Sequence, residues 1–152
     1  MVEFAIVVWL LIILVLGFVE LGRALYQHNT LHEALAAGPR YLGRVPGIID
    51  MDPGANSCSW DDPSNTARNN ATNLVVYGAL AAGTPVLEGF EISDITVVNP
   101  PEYYEYVVGG VIQFSACIIR MEADVSFSPL FGELIPIPAS LSAAAEERYI
   151  AE

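Results

Sequence analysis

The chain opens on a run whose hydrophobic positions have no period. From Phe4 to Val19 every residue is apolar or glycine, and the run sits between two carboxylates, Glu3 and Glu20. As a helix it would be about 24 Å long, a little short of the ~30 Å hydrocarbon core of a bilayer. Apolar side chains would cover every face instead of a stripe, so this is no surface helix of a soluble domain. It must lie in lipid or among other copies of itself. Past Glu20 the pattern becomes that of an amphipathic helix: Leu21, Ala24, Leu25, Leu31, Ala34 and Leu35 recur at three- and four-residue spacing, with Glu20, Arg23, Gln27 and Glu33 off that stripe. One long helix is therefore predicted, apolar all round in its first half and one-sided in its second. Gly38-Pro39 is expected to kink or end it, because proline lacks the backbone donor and restricts the residue before it. Pro46-Gly47 marks a definite stop.

Residues 48–63, IIDMDPGANSCSWDDP, are rich in turn formers and read as a loop. Ser64 is placed to cap a second helix over about Asn65 to Ala82, with Ala67, Ala71, Leu74, Val75, Gly78 and Ala81 on one apolar side. The remainder is β in character. Ile92 to Val98 reads as a short strand and Val111 to Phe127 as one long strand or two in series. From Ile119 the alternation is clean, with Ile119, Met121, Ala123, Val125 and Phe127 on one face and Arg120, Glu122, Asp124 and Ser126 on the other. The closing ASLSAAAEERYI alternates in the same way and predicts a strand that completes the sheet. The expected fold class is α+β: a long hydrophobic N-terminal helix packed on a small antiparallel sheet with one extra helix. Its expected divisions are residues 1–22, apolar, and residues 23–152, a globular domain that includes the amphipathic half of the helix.

Charge narrows the function classes. The 152 residues carry a formal net charge of -12, with 18 Asp plus Glu against 6 basic residues, all of them arginine. An acidic chain without a basic stripe argues against nucleic acid as a partner. The two cysteines, Cys58 and Cys117, are an even pair in a chain with a membrane-inserting start, which suggests a disulfide formed in an oxidising compartment; the alternative is two free buried thiols. The basic residues that flank the apolar run, Arg23, Arg40 and Arg44, all follow it. By the positive-inside rule this would leave the globular part in the cytoplasm, against the disulfide reading. A basic leader removed from the chain would reconcile the two.

The opening VEFAIV (Val2 to Val7), the apolar run and ELGRALY (Glu20 to Tyr26) resemble the start of TadE-like proteins, a pilin-like family of tight-adherence (Flp-type) pilus systems. VSFSPLF (Val125 to Phe131) with LSAAAEER (Leu141 to Arg148) is similar to the family's closing strands. The resemblance implies a pilin-like form of that α+β fold, a basic leader cut by a prepilin peptidase, insertion in the inner membrane, and export into an extracellular filament by a pilus assembly machinery. It also implies that the N-terminal helices bundle with those of other copies or related pilins, and that the early glutamate, here Glu3, meets a neighbour's N-terminal ammonium. A carboxylate in an apolar bundle is tolerable only when paired, so Glu3 would set register. Pilin-type signals usually place this glutamate fifth, whereas here it is third. Trp9 stands where the family commonly has proline, which implies a straighter helix. Candidate assembly residues are thus Glu3, Phe4, Trp9, Gly17 and Gly22, the glycines as points of close helix approach.

Other chemistry is sparse. His28 and His32 have an i, i+4 spacing that can hold a metal, but no third ligand is evident, so no metal site is assigned. The sequence has no GxSxG, no phosphate-binding glycine loop and no lysine for a Schiff base, so neither catalytic residues nor a cofactor are expected. Tyr103, Tyr104 and Tyr106, between Glu102 and Glu105, read as a loop whose aromatics offer a surface contact. Glu20 and Arg23, one turn apart, read as a modest surface ion pair. The function these features favour is structural: a subunit of a surface filament used in adhesion. The rival is a single-pass membrane protein with a non-polymerising extracytoplasmic interaction domain.

Overall fold

The computed structural model describes residues 2–129 and 140–149; within that range the side chains of Val2, Glu3, Ala5 and Ile6 lie outside the description. Helix α1 runs unbroken from Val2 to Leu42. Two short strands follow, β1 (Ile49–Asp52) and β2 (Ser57–Trp60), then helix α2 (Thr66–Tyr77). A 3-10 turn at Ile92–Asp94 leads into β3 (Ile95–Val97), followed by β4 (Glu102–Val108), β5 (Val111–Ser126) and β6 (Ser140–Tyr149). The class is α+β, with one helix beyond the long N-terminal one and antiparallel sheets. Parts of the expected closing strands, Leu130, Phe131, Ala139 and Ile150, fall outside the described residues.

Strand β5 is the axis of the main sheet. On one edge β6 pairs with it from Cys117 to Ser126. On the other, β3 pairs with Ala123 to Met121 and β4 with Ile118 to Val111. The period-2 pattern of this strand is met in full: Ile119, Met121, Ala123, Val125 and Phe127 are buried, while Arg120, Glu122, Asp124 and Ser126 are not. The buried face packs on the outer half of α1 through Leu31, Leu35 and Leu42, and on α2 through Ala67, Ala71, Val75 and Val76. At the crossing of the three elements Gly38 leaves no room for a side chain. A Cβ there would stand 2.6 Å from Met121 Sδ and 2.8 Å from Val75 Cγ2.

Several local expectations are corrected. Pro39 does not end α1, which continues one turn to Leu42. Pro39 sits close enough to the end that its own carbonyl still accepts from Gly43 N at 2.8 Å, so the helix loses only the bond to the Pro39 nitrogen. The segment 48–63 is not a plain loop: β1 and β2 form an antiparallel hairpin, Met51 opposite Cys58. Helix α2 is shorter than its apolar pattern, because Gly78 takes a left-handed conformation and caps it. Its N-terminal amides are served by Asp62, not Ser64. The buried Asp62 carboxylate accepts from Thr66 N at 3.0 Å and Arg68 N at 3.2 Å, and faces the Arg68 guanidinium at 3.7 Å. Tyr103, Tyr104 and Tyr106 belong to strand β4, not to a loop. The turn that follows them, Gly109-Gly110, has positive φ at both residues, a conformation that suits glycine.

Cys58 and Cys117 are joined by a disulfide with a Cα–Cα distance of 6.0 Å, which ties the β1–β2 hairpin to β5. The bridge closes a loop of separation 59, worth about 4 kcal/mol in the chain-entropy model. Intact mass should show both thiols alkylating only after reduction, and reduction should lower the unfolding midpoint accordingly. Gly38→Val should cost about 1–3 kcal/mol through overpacking against Val75 and Met121, read by chemical denaturation of the full chain in detergent.

Candidate assembly surface

Two parts of the molecule offer surfaces that its own domain does not cover. The first is the apolar rod. Phe4, Trp9, Leu10, Leu11, Ile12, Ile13, Phe18 and Val19 are all exposed, as a helix without an apolar stripe requires. A segment of α1 has a mean hydropathy of 2.2 with 6% of its residues buried, long and apolar enough to cross a membrane. Val8, Leu11, Ile12, Val15 and Leu16 frame a shallow, wholly apolar depression along the rod. Gly17 lies within α1, and a Cβ on Gly22 would meet nothing within 4 Å. Close approach at Gly22 is therefore not used inside the subunit. The backbone of Glu3 is helical, while its side chain lies outside the described residues.

The rod ends in a seam with the globular domain. Glu20 is fully buried, and its Oε2 accepts from Arg23 Nε at 3.2 Å. Arg23 in turn donates to the carbonyl of Ser128 and lies over the Phe127 ring, 4.8 Å from its centroid. The expectation of a modest surface pair is thus corrected. Spacing alone does not reveal that Glu20 is buried, nor that Arg23, still partly exposed, reaches Phe127 and Ser128 just past the end of β5. This contact also sets direction. Arg23 meets Phe127 and Ser128, and Gly38 meets Met121. Strand β5 therefore runs back along α1 toward the rod.

The second surface is the far end of that sheet. Val111 lies ten residues before Met121, about 33 Å along an extended strand, whereas α1 continues only about 6 Å past Gly38. The β4–β5 turn consequently extends past the end of α1, away from the rod. Alternation along β4 divides the three tyrosines. Tyr103 packs against the core, its hydroxyl donating to Glu105 Oε1 at 3.0 Å, while Tyr104 and Tyr106 are exposed. Tyr106 stacks on Phe114 at 5.2 Å, and Arg148 lies over the Phe114 ring at 5.5 Å. Val107, Val108, Val111, Ile112 and Phe114 are exposed as well. Sequence reading found the tyrosines but missed these aliphatic neighbours, although the uncharged run from Tyr106 to Ile119 was there to be seen.

Comparison with known proteins meets the rod and not the tip. Residues 1–40 match the TadE-like protein family. The matched segment comprises the rod, the Glu20–Arg23 seam and nearly all of the amphipathic half of α1. The match is consistent with a Tad pilus-related subunit, a structural and non-enzymatic kind of protein. No curated protein and no solved structure matches the chain. The histidines sit on α1 within the matched residues, their rings edge to face at 4.5 Å. His32 borders an open cleft of about 570 Å³ with Asp94, Glu122 and Asp124. Among the described residues no group of three or more His, Cys, Asp or Glu side chains is arranged to hold a metal ion.

The seam makes a comparative prediction. Arg23→Ala removes one partner of the buried Glu20 carboxylate together with the hydrogen bond to Ser128, and should cost about 1–3 kcal/mol. Arg120→Ala removes one from the exposed pairs with Glu122 and Glu146 and should cost at most about 1 kcal/mol. Unfolding midpoints of the two variants in the same detergent compare them directly.

Proposed function

We propose that the chain is a structural subunit of a Tad/Flp-type, pilin-like surface filament, held together by its N-terminal helix. The observation that carries this reading is the rod: an all-round apolar helix, left bare by its own domain, within the segment that matches the TadE-like family. In this reading residues 1–22 form the membrane span and then the filament core, and residues 23–152 the globular domain. The subunit waits in the inner membrane, is processed by a prepilin peptidase, and leaves through the pilus assembly machinery to become part of an extracellular filament that serves adhesion. Its partners are copies of itself or related pilins. Phe4 and Trp9 present bulk to neighbouring rods, and Gly17 and Gly22 allow backbones to approach. Glu3 pairs with the N-terminal ammonium of a neighbour. Burial of one Leu or Ile is worth roughly 2 kcal/mol, so several per subunit make such an assembly very stable.

Two changes test this reading. Glu3→Leu should leave the subunit membrane-inserted and folded but impair filament formation, as seen by electron microscopy of sheared material. A chain beginning at Glu20, which keeps the seam and omits the rod, should be soluble and folded and should form no filaments. Filaments from that shortened chain would move assembly to the globular faces and overturn the proposal.

A further inference from the structure

The β4–β5 ribbon loses its polar side at its tip. Directly paired residues of an antiparallel ladder point to the same face, and successive residues to opposite faces. Val107 pairs with Ile112 and Val108 with Val111, so the two pairs occupy opposite faces of the ribbon. All four side chains are 50–61% exposed. The ribbon is therefore apolar on both faces here, as the rod is on all of its own, and has no side suited to water. Behind this cap the residues change in a fixed order. Tyr106 and Phe114 pair next, across the register shift that Gln113 introduces, and their rings stack at 5.2 Å. Tyr104 is exposed further back. Charge follows: Arg148 lies over the Phe114 ring, and Glu105 accepts from the Tyr103 hydroxyl. Arg40 and Arg44, near the end of α1, border a cavity of about 260 Å³ with Arg148 and Glu147. Half of the 6 basic residues in a chain of net charge -12 thus gather where the ribbon passes the end of α1.

We propose that the β4–β5 tip is a membrane-docking site, seated in the outer layer of a phospholipid bilayer other than the one that holds the rod. The order aliphatic, aromatic, charged is the order of surroundings met on leaving a bilayer: hydrocarbon, interface, phosphate. A rigid partner covers one face of a ribbon, whereas lipid tails close around both. Depth agrees as well. From Val111 to Phe114 the strand covers about 10 Å, and the apolar faces of interfacial helices sink about 5–10 Å. With the four aliphatic residues at the hydrocarbon boundary, Tyr104 and Tyr106 stand at headgroup level, where amphipathic rings are favoured. Arg148 then stands among the phosphates, to which its guanidinium donates. Seating this shallow keeps the backbone of the turn at the hydrated boundary, so no free strand edge is called for.

Direction gives the contact its role. Because β5 runs back toward the rod, the tip faces away from whatever holds the rod. The bilayer it meets is a second one, and the chain bridges two surfaces. The contact uses the direction of β5 relative to the rod and does not require that the chain polymerise. Four aliphatic residues make a weak contact, and many copies arrayed on one surface add up.

The test holds the full chain by its rod in phosphatidylcholine nanodiscs and mixes these with bare phosphatidylcholine vesicles at about 0.15 M salt, where charges are screened beyond about 8 Å. On flotation the loaded nanodiscs should rise with the vesicles, whereas empty nanodiscs should stay behind. Ile112→Lys should reduce this binding at least tenfold and Ile112→Leu should preserve it, with mass spectrometry showing the Cys58–Cys117 bridge in both. Independently, an environment-sensitive dye on Val111→Cys should shift to the blue when vesicles are added. The same dye on Ser93→Cys, exposed next to β3, should not. Absence of flotation, flotation undiminished by Ile112→Lys, equal loss with Ile112→Leu, or a dye that responds at position 93 and not at 111 would each overturn the proposal. Loaded nanodiscs that cluster with one another and leave the vesicles untouched would overturn it in favour of a contact between copies.

Discussion

A helix whose apolar residues cover every face has no side to turn toward its own domain, and the architecture follows from that constraint. The rod cannot be folded in, so the domain must be built beyond it, on the part of α1 where hydrophobic residues withdraw to one stripe. The buried Glu20–Arg23 pair stands at that change of period. It fastens the end of β5 to the last turn of the rod, and so fixes how domain and rod are joined. A purely apolar joint at this point would merge with the rod's own greasy surface. A buried ion pair has one geometry, and that is the kind of specificity a junction between two differently solvated halves needs.

From the seam outward, β5 acts as the ruler of the domain. Between Cys117 and Ala123 it is flanked by strands on both edges, and its buried face is pressed against α1 and α2, whereas among the described residues its N-terminal part pairs only with β4. The disulfide at Cys117 sits at the border between these two regimes. It ties β5 to the β1–β2 hairpin where, among the described residues, pairing with β6 stops. A two-stranded ribbon is marginal by itself in water, so an anchor at the ribbon's base is where a covalent tie does most.

What the sequence made legible was whatever repeats with a clear period. The rod, the amphipathic stripe and the alternation from Ile119 to Phe127 each span enough residues for one template to win. The β1–β2 hairpin was not legible, because strands of four residues such as IDMD and SCSW are shorter than a pattern and lie among turn formers. The run EYYEYVV hid strand β4: its tyrosines and valines suit a strand, but two prolines before it and two glycines after it spoke for a loop. Asp62 was passed over as a cap because it lies several residues before the helix and reaches it through a turn. Burial of Glu20 was out of reach altogether. An i, i+3 pair reads the same whether or not a distant strand comes to rest on it. The candidate site divides likewise. The rod's residues are legible as a block, while the exposure of Val107, Val108, Val111 and Ile112 around the β4–β5 turn follows from how the strands are arranged and not from their own pattern.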